Sequence, residues 1–273
     1  MPDPRLPPEL ERLIFIYAFH SRVGEPTNLF LVAKRVREWL LPLAFEVVLV
    51  HRRHFFPFRF YTQHQFAEYG THIQHLMILY KSWPGADSVN LDQCLGLCPN
   101  VSDLSLIWNS PPIRTETLLN LSKLTHLSID IRYLLNLISS TSSTIHTPLF
   151  PNITHFDAIG SLRDHVESHI IALDRHLPDL THIAFVYRSG SALLQSVLRN
   201  CKRLEALVWW NIVLSGIYDT VEGVDDDRVV TMATSRLLCW KNAMRGGLGM
   251  WDIADDILKK RAEHKRAENR ESL

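Results

Sequence analysis

Apolar positions recur along the chain in one spacing. Segments 72–79 (HIQHLMIL), 100–107 (NVSDLSLI), 123–130 (KLTHLSID), 152–159 (NITHFDAI), 179–186 (DLTHIAFV) and 203–210 (RLEALVWW) share the form L-x-x-L-x-L with aliphatic or aromatic variants. In the last part of each, apolar residues recur at every second position, the period of a strand with one face in a core. The second apolar residue falls at Leu76, Leu104, Leu127, Phe156, Ile183 and Leu207, in steps of 28, 23, 29, 27 and 24 residues. Phe45 to Val50 makes an earlier copy, 28 residues ahead of the first.

Prolines precede several of these segments: Pro99, Pro151 and Pro178 closely, Pro148 loosely. Proline there ends a helix and sets an extended entry to a strand. Helical spacing fills the gaps, at Leu91–Leu97, Tyr133–Ile138, Val166–His176 and Ser191–Asn200. Strand and helix alternating at a nearly fixed step predict an α/β solenoid over 45–215, with a parallel sheet on one face and helices on the other. The repeat resembles the leucine-rich repeat in degenerate form. The usual asparagine after the strand stands in register only at Asn109. A doubly wound α/β domain is the alternative. Beyond the repeats, a helix is expected from Arg228 to Met244, its start flanked by Asp225–Asp227. Gly246-Gly-Leu-Gly249 then makes a turn, and a last helix runs from Asp252. Residues 225–273 thus form a C-terminal helical cap and charged tail. Six Lys/Arg and three Glu between Lys259 and Glu271 suit a solvated helix end, a nuclear-import patch or an RNA arm.

The N-terminal stretch 6–19 (LPPELERLIFIYAF) has two apolar faces. Leu10, Leu13, Ile14 and Tyr17 make one; Phe15, Ile16, Ala18 and Phe19 make the other, so burial on two sides is expected. A second helix starts near Thr27 or Asn28, carries Leu29, Val32, Ala33, Val36 and Leu40 on one stripe, and is expected to end at Pro42. The motif over residues 4–50, Leu6-Pro7, Ile14-Phe15, Leu31-Val32, Lys34-Arg35 and Arg37-Glu38, resembles an F-box. The following PLAFEVVLV resembles the lead-in strand of a fungal family of F-box-like proteins with degenerate repeats. Two departures stand out: Val36 takes the place of the family's central tryptophan, and His20 to Asn28 lacks the usual acidic-leucine pattern.

The resemblance implies a substrate receptor of a cullin-type ubiquitin ligase. Leu6, Pro7, Leu10, Ile14, Phe15, Leu31, Val32 and Arg35 would grip a Skp-type adaptor, and the solenoid would hold a target protein. A plain repeat scaffold without a ligase role, its N-terminal helices serving as an ordinary cap, is the second reading.

Charge and chemistry narrow this little further. Basic and acidic residues balance at 29 each, so no global field draws the chain to nucleic acid or an anionic membrane. No signal peptide or transmembrane run is read, which points to cytoplasm or nucleus and keeps Cys94, Cys98, Cys201 and Cys239 reduced. The 14 histidines form no recognised metal pattern; His165-Val-Glu-Ser-His169 lacks the order of zinc proteases. No nucleophile elbow or phosphate loop occurs. No enzyme, metal or cofactor is expected. His75, His126, His155 and His182, with Asp103, share the repeat position facing away from the core. A tolerated polar column and a pH sensor both fit. The candidate target face is His126, Asp130, His155 and Asp157, suited to a basic segment. Trp210 either anchors a target or lies under the C-terminal segment, where Trp240, Trp251, Ile253 and Ile257 offer matching surface.

Overall fold

The computed structural model describes residues 6–21, 26–51, 54–56, 63–79, 91–107, 113–141, 147–160, 166–186, 191–210, 224–244 and 246–271. Asn109 and His165, and the ends of the three expected domains at 4–5, 211–215 and 272–273, lie outside them. The chain opens with helix α1 (Pro8–Ser21), a short 3-10 turn (Pro26–Leu31) and α2 (Lys34–Glu46). The helix expected to start near Thr27 or Asn28 and to stop at Pro42 does neither: extended backbone at Ala33 separates the 3-10 turn from α2, which begins at Lys34, leaves Leu29 and Val32 outside it, and runs through Pro42 to Glu46. Pro42 removes one backbone donor, but Val36, Leu40, Ala44 and Phe45 are buried on both sides of it, and that burial carries the helix on.

From α2 the chain passes directly into β1 (Val47–His51). Strands β3 (His75–Leu79), β4 (Asp103–Ile107), β5 (His126–Asp130), β6 (His155–Ile159), β7 (His182–Val186) and β8 (Ala206–Trp210) are the six recurring segments. β2 (His54–Phe56) pairs antiparallel with β1 at one edge. The sheet order is β2-β1-β3-β4-β5-β6-β7-β8-β9, and every pairing after the first is parallel. The repeat register holds in space: Leu76 pairs with Leu104, Leu104 with Leu127, Leu127 with Phe156, Phe156 with Ile183 and Ile183 with Leu207. A sheet whose strands stack in sequence order is that of a solenoid-like α/β fold, not of a doubly wound one, where the order reverses.

Between strands lie α3 (Gln63–Tyr69), α4 (Leu91–Gly96), α5 (Thr115–Leu119), α6 (Ile131–Thr141), α7 (Val166–His176) and α8 (Ser191–Asn200). Neighbouring helices touch one another, α3 with α4, α4 with α5, α6 with α7 and α7 with α8. The main core runs unbroken between them and the sheet, from Phe45 and Val48 through Leu104, Phe156 and Leu207 to Val229. Side chains also bind each repeat to the one before it. Asn100 Nδ2 donates to the Thr71 carbonyl at 2.6 Å, and Asn152 Nδ2 to the Ser122 carbonyl at 2.9 Å. At the next entry Asp179 takes the Arg203 guanidinium at 2.5 Å.

The helix expected from Arg228 to Met244 is instead a strand and a shorter helix, β9 (Val229–Met232) and α9 (Arg236–Ala243). β9 continues the parallel sheet, with Val208 beside Val230 and Trp210 beside Met232. Asp226 receives the Arg228 guanidinium at 2.8 Å at its entry, so these acids brace a strand rather than a helix start. A turn containing Gly246, at φ +75°, leads to α10 (Met250–Glu271). α9 and α10 lie across the second face of the sheet. Leu237 and Trp240 pack on Leu49, Met77 and Ile107; Met250, Trp251, Ile253, Ile257 and Leu258 pack on Ala184, Val208, Trp210, Val230 and Met232.

Candidate functional site

Two surfaces gather the residues singled out from the sequence. On the second sheet face, the column of His75, Asp103, His126, His155, His182 and Ala206 is a true row of paired residues. Three of its imidazoles stack. The rings of His126 and His155 lie 4.1 Å apart at 16°, those of His155 and His182 4.2 Å apart at 17°. Each is held by the threonine before it, with Oγ1 to Nδ1 distances of 2.9 Å at Thr125, 2.8 Å at Thr154 and 2.8 Å at Thr181. Each of these hydroxyls also lies 3.2–3.3 Å from the backbone carbonyl of the preceding repeat. At His182, Nε2 is 3.0 Å from Asp255 Oδ1. The Thr-His dipeptide recurs in the sequence as Thr125-His126, Thr154-His155 and Thr181-His182, yet sequence reasoning took the histidines and missed the threonines.

This face is not the open surface expected for a target. Trp251 of α10 stands edge-on against His155 and His182, at 5.2 and 5.7 Å. Asp157 is buried and faces Arg236 of α9 at 2.5 Å. Trp210 is buried, with the Arg236 guanidinium 5.5 Å above its ring. Trp240 Nε1 donates to Asp103 at 3.2 Å. Of the expected target face, Asp157 and Trp210 are therefore occupied by the chain itself, whereas His126, Asp130 and His155 keep partial exposure. Asp130 is turned to its own neighbour Arg132, at 2.8 Å. Trp240 and Trp251 cover this face as the matching C-terminal surface expected from the sequence, whereas Arg236 and Asp255 also belong to the site and were invisible as such, because their partners lie tens of residues away.

Burial sets the charge states. Desolvation, reinforced by the neighbouring imidazoles, pushes His126 down to about 4 and His155 to about 2. His75 is lowered by burial too. Asp103 is raised to about 7, by burial first and then by the charge of Asp157, against the Trp240 hydrogen bond. Burial also raises Asp157 and lowers Arg236, and their mutual attraction opposes both shifts. Between the sheet and the two C-terminal helices a cavity of about 290 Å³ remains. Ser105 and Ser128, small residues side by side in adjacent strands, lie in its wall. Among the described residues, no group of three or more His, Cys, Asp or Glu side chains is arranged to hold a metal ion. The thiols of Cys94, Cys98 and Cys201 are driven up to about 11, 12 and 12 by burial, which makes them poor nucleophiles.

The second surface is the head. Phe15, Ile16, Ala18 and Phe19 of α1 pack against Leu29, Val36 and Leu40, as one of the two expected faces. The other face is bare: Leu6 is 52%, Leu10 49%, Leu13 61%, Ile14 53% and Tyr17 76% exposed. Leu31 at 84% and Val32 at 57% add to it from the second half of the motif. Arg35 is directed inward in part, donating to Glu11 at 2.7 Å and tying α2 to α1. Phe15 is half-buried, in the packed cluster rather than on the bare face. No helix among the described residues is long and apolar enough to cross a membrane. No protein-family model matches the chain, and no curated protein matches it either.

Proposed function

We propose that the chain is a non-catalytic interaction adaptor of the F-box type. Its head engages a Skp-type adaptor of a cullin-type ubiquitin ligase, and its repeat surface holds a target protein in cytoplasm or nucleus. The observation that carries this reading is the bare apolar face of the head. Of the large hydrophobic side chains left exposed among the described residues, Leu6, Leu10, Leu13, Ile14, Tyr17, Leu31 and Val32 lie in the first 32 residues, against Ile171, Leu238 and Leu248 elsewhere. Isolated exposed apolar groups carry no meaning, but a grouping of this kind is the mark of a partner site. It falls on the residues for which the F-box resemblance implies adaptor contact. Phe15 and Arg35 act in this reading by holding α1 against the second half of the motif. The target would meet the repeat surface at Asp130, the partly exposed position of the expected face that lies outside the cavity beneath α9 and α10.

Co-expression with a Skp-type adaptor tests the reading. The wild-type chain should co-purify with it, and the double variant Leu6→Ala, Pro7→Ala should not. Both residues are exposed, so the variant should keep its far-UV circular dichroism and denaturation midpoint. Capture of the intact double variant at the wild-type level would refute the adaptor contact and leave a repeat scaffold without a ligase role.

A further inference from the structure

The cavity under α9 and α10 is unbalanced in charge. Asp103 on β4, Asp157 on β6, and Asp252 and Asp255 on α10 line it, against Arg236 on α9 as the single guanidinium or ammonium group among the described lining residues. The imidazoles that face it, His75, His126 and His155, are kept neutral by burial. Asp255 is directed to His182 of β7. Neutral imidazole and carboxylate groups accept hydrogen bonds or balance positive charge; they do not attract an anion.

The chain itself shows how this chemistry takes a cation. Arg236 sits between the Asp157 carboxylate, at 2.5 Å, and the face of the Trp210 indole, at 5.5 Å. Across the cavity a second carboxylate lies beside a second indole, with Trp240 Nε1 donating to Asp103 at 3.2 Å. Trp251 lines the cavity as well. No basic side chain among the described lining residues complements Asp103 as Arg236 complements Asp157. A further buried group points to a ligand. The Trp210 Nε1 donor, on a residue 2% exposed, has no hydrogen-bond acceptor among the described residues, and Trp210 is one of the residues that line the cavity.

We propose that this cavity binds a small organic cation, an ammonium or methylated ammonium on a short chain that also carries a hydrogen-bond acceptor. Asp103 supplies the counter-charge, Trp240 and Trp251 supply the aromatic walls, and Trp210 Nε1 donates to the acceptor. Aromatic walls with a carboxylate are the usual setting for such cations. A volume of about 290 Å³ suits a ligand at the small end of the range for pockets. Two sources share this chemistry, a free quaternary ammonium such as choline and the end of a lysine side chain on a protein. The cavity's chemistry does not depend on the head, so failure of adaptor binding leaves this inference standing, and the reverse also holds.

The full chain should be titrated with choline, with a short lysine peptide and with the same peptide acetylated on its side chain, following tryptophan fluorescence. Saturable binding of choline alone assigns a free quaternary ammonium; binding of the lysine peptide but not its acetylated form assigns a protein lysine; either supports the site. Asp103 must be ionised to hold the cation. With its carboxyl near 7, affinity should be about tenfold weaker at pH 6 than at pH 8. Asp103→Asn should lose binding and its pH dependence while keeping the native near-UV circular dichroism. If that variant fails to fold, the pH series on the wild-type chain still decides. Absence of saturable binding by all probes, binding of the acetylated peptide equal to the free one, or affinity that falls as pH rises would overturn the proposal.

Discussion

At the scale of single residues, the stacked imidazoles make the fold sensitive to acid. His126 and His155 hold their protons far less readily in the fold than in the unfolded chain, where histidine titrates near pH 6.5. Their contribution is fully present above about pH 6.5 and is lost as the pH falls toward 4, because the unfolded chain then binds protons that the folded one refuses. Asp103 and Asp157 act in the opposite sense. Asp103, raised to about 7, makes the fold take up protons below that pH, and the raised carboxyl of Asp157 adds in the same sense, so the total pH profile is a difference. The imidazole part is isolated by comparison with His155→Phe, which keeps a flat ring in the stack and cannot charge. Between pH 7 and pH 4.5, urea denaturation should show the variant losing about 2 kcal/mol less than the wild type. Equal losses would show that the stack does not exclude protons. The column of histidines was legible in the sequence because a strand repeats its faces every second residue and the repeats keep register. That the C-terminal segment would cover the Trp210 end was legible from its apolar residues; the polar contacts beneath it were not, since nothing local in Arg236 or Asp255 marks a partner on β6 or β7.

At the scale of elements, periodicity identified the recurring strands and most of the helices between them, and its failures at β9 and at Pro42 have physical reasons. Val229–Met232 is a four-residue apolar run, too short to separate period 2 from period 3.6, and the helix that follows drew it into one expected element. Pro42 is a correct breaker signal that buried neighbours override. The elbow between α9 and α10 was legible from its glycines, but its tightness was not. A Cβ on Gly249 would lie 2.7 Å from the Ala243 Cβ and 3.1 Å from an Asp252 carboxylate oxygen. Asp252 in turn accepts the Gly249 backbone N–H at 2.8 Å and so starts α10. Gly249→Ala must therefore push the two helices apart, at a cost of about 1–3 kcal/mol. The measurement is the urea midpoint, with Gly96→Ala as the control, since a Cβ there meets nothing within 4 Å. A Gly249 variant as stable as that control would show that the elbow yields freely.

At the scale of the whole molecule, a sheet in a repeat protein must deal with two faces, and the chain treats them differently. The repeat helices bury one face along its whole length, as the alternation of apolar residues requires. The other face is polar in the middle and apolar toward β8 and β9, where Trp210, Val230 and Met232 are 2%, 1% and 3% exposed beneath α10. α10 is held there by Trp251, Ile253, Ile257 and Leu258, and by Arg261 Nη1 donating to the Val229 carbonyl at 2.6 Å. Its later half carries the charged run into solvent, with Lys265 reaching back to Asp227. Removing residues 245–273 should bare one contiguous apolar patch on a sheet that otherwise stays whole. At about 25 cal/mol for each Å² of apolar surface returned to water, loss of these contacts costs on the order of 5 kcal/mol. The truncated chain should unfold at lower urea and associate at micromolar concentration, which light scattering after gel filtration reads directly. Ala254→Gln offers a graded version. Ala254 is fully buried under the helix, so a larger polar side chain there should weaken the same contact without shortening the chain. If the truncated protein stays monomeric with an unchanged midpoint, α10 is not what keeps this end of the sheet from water, and the patch around Trp210 becomes a surface open to partners.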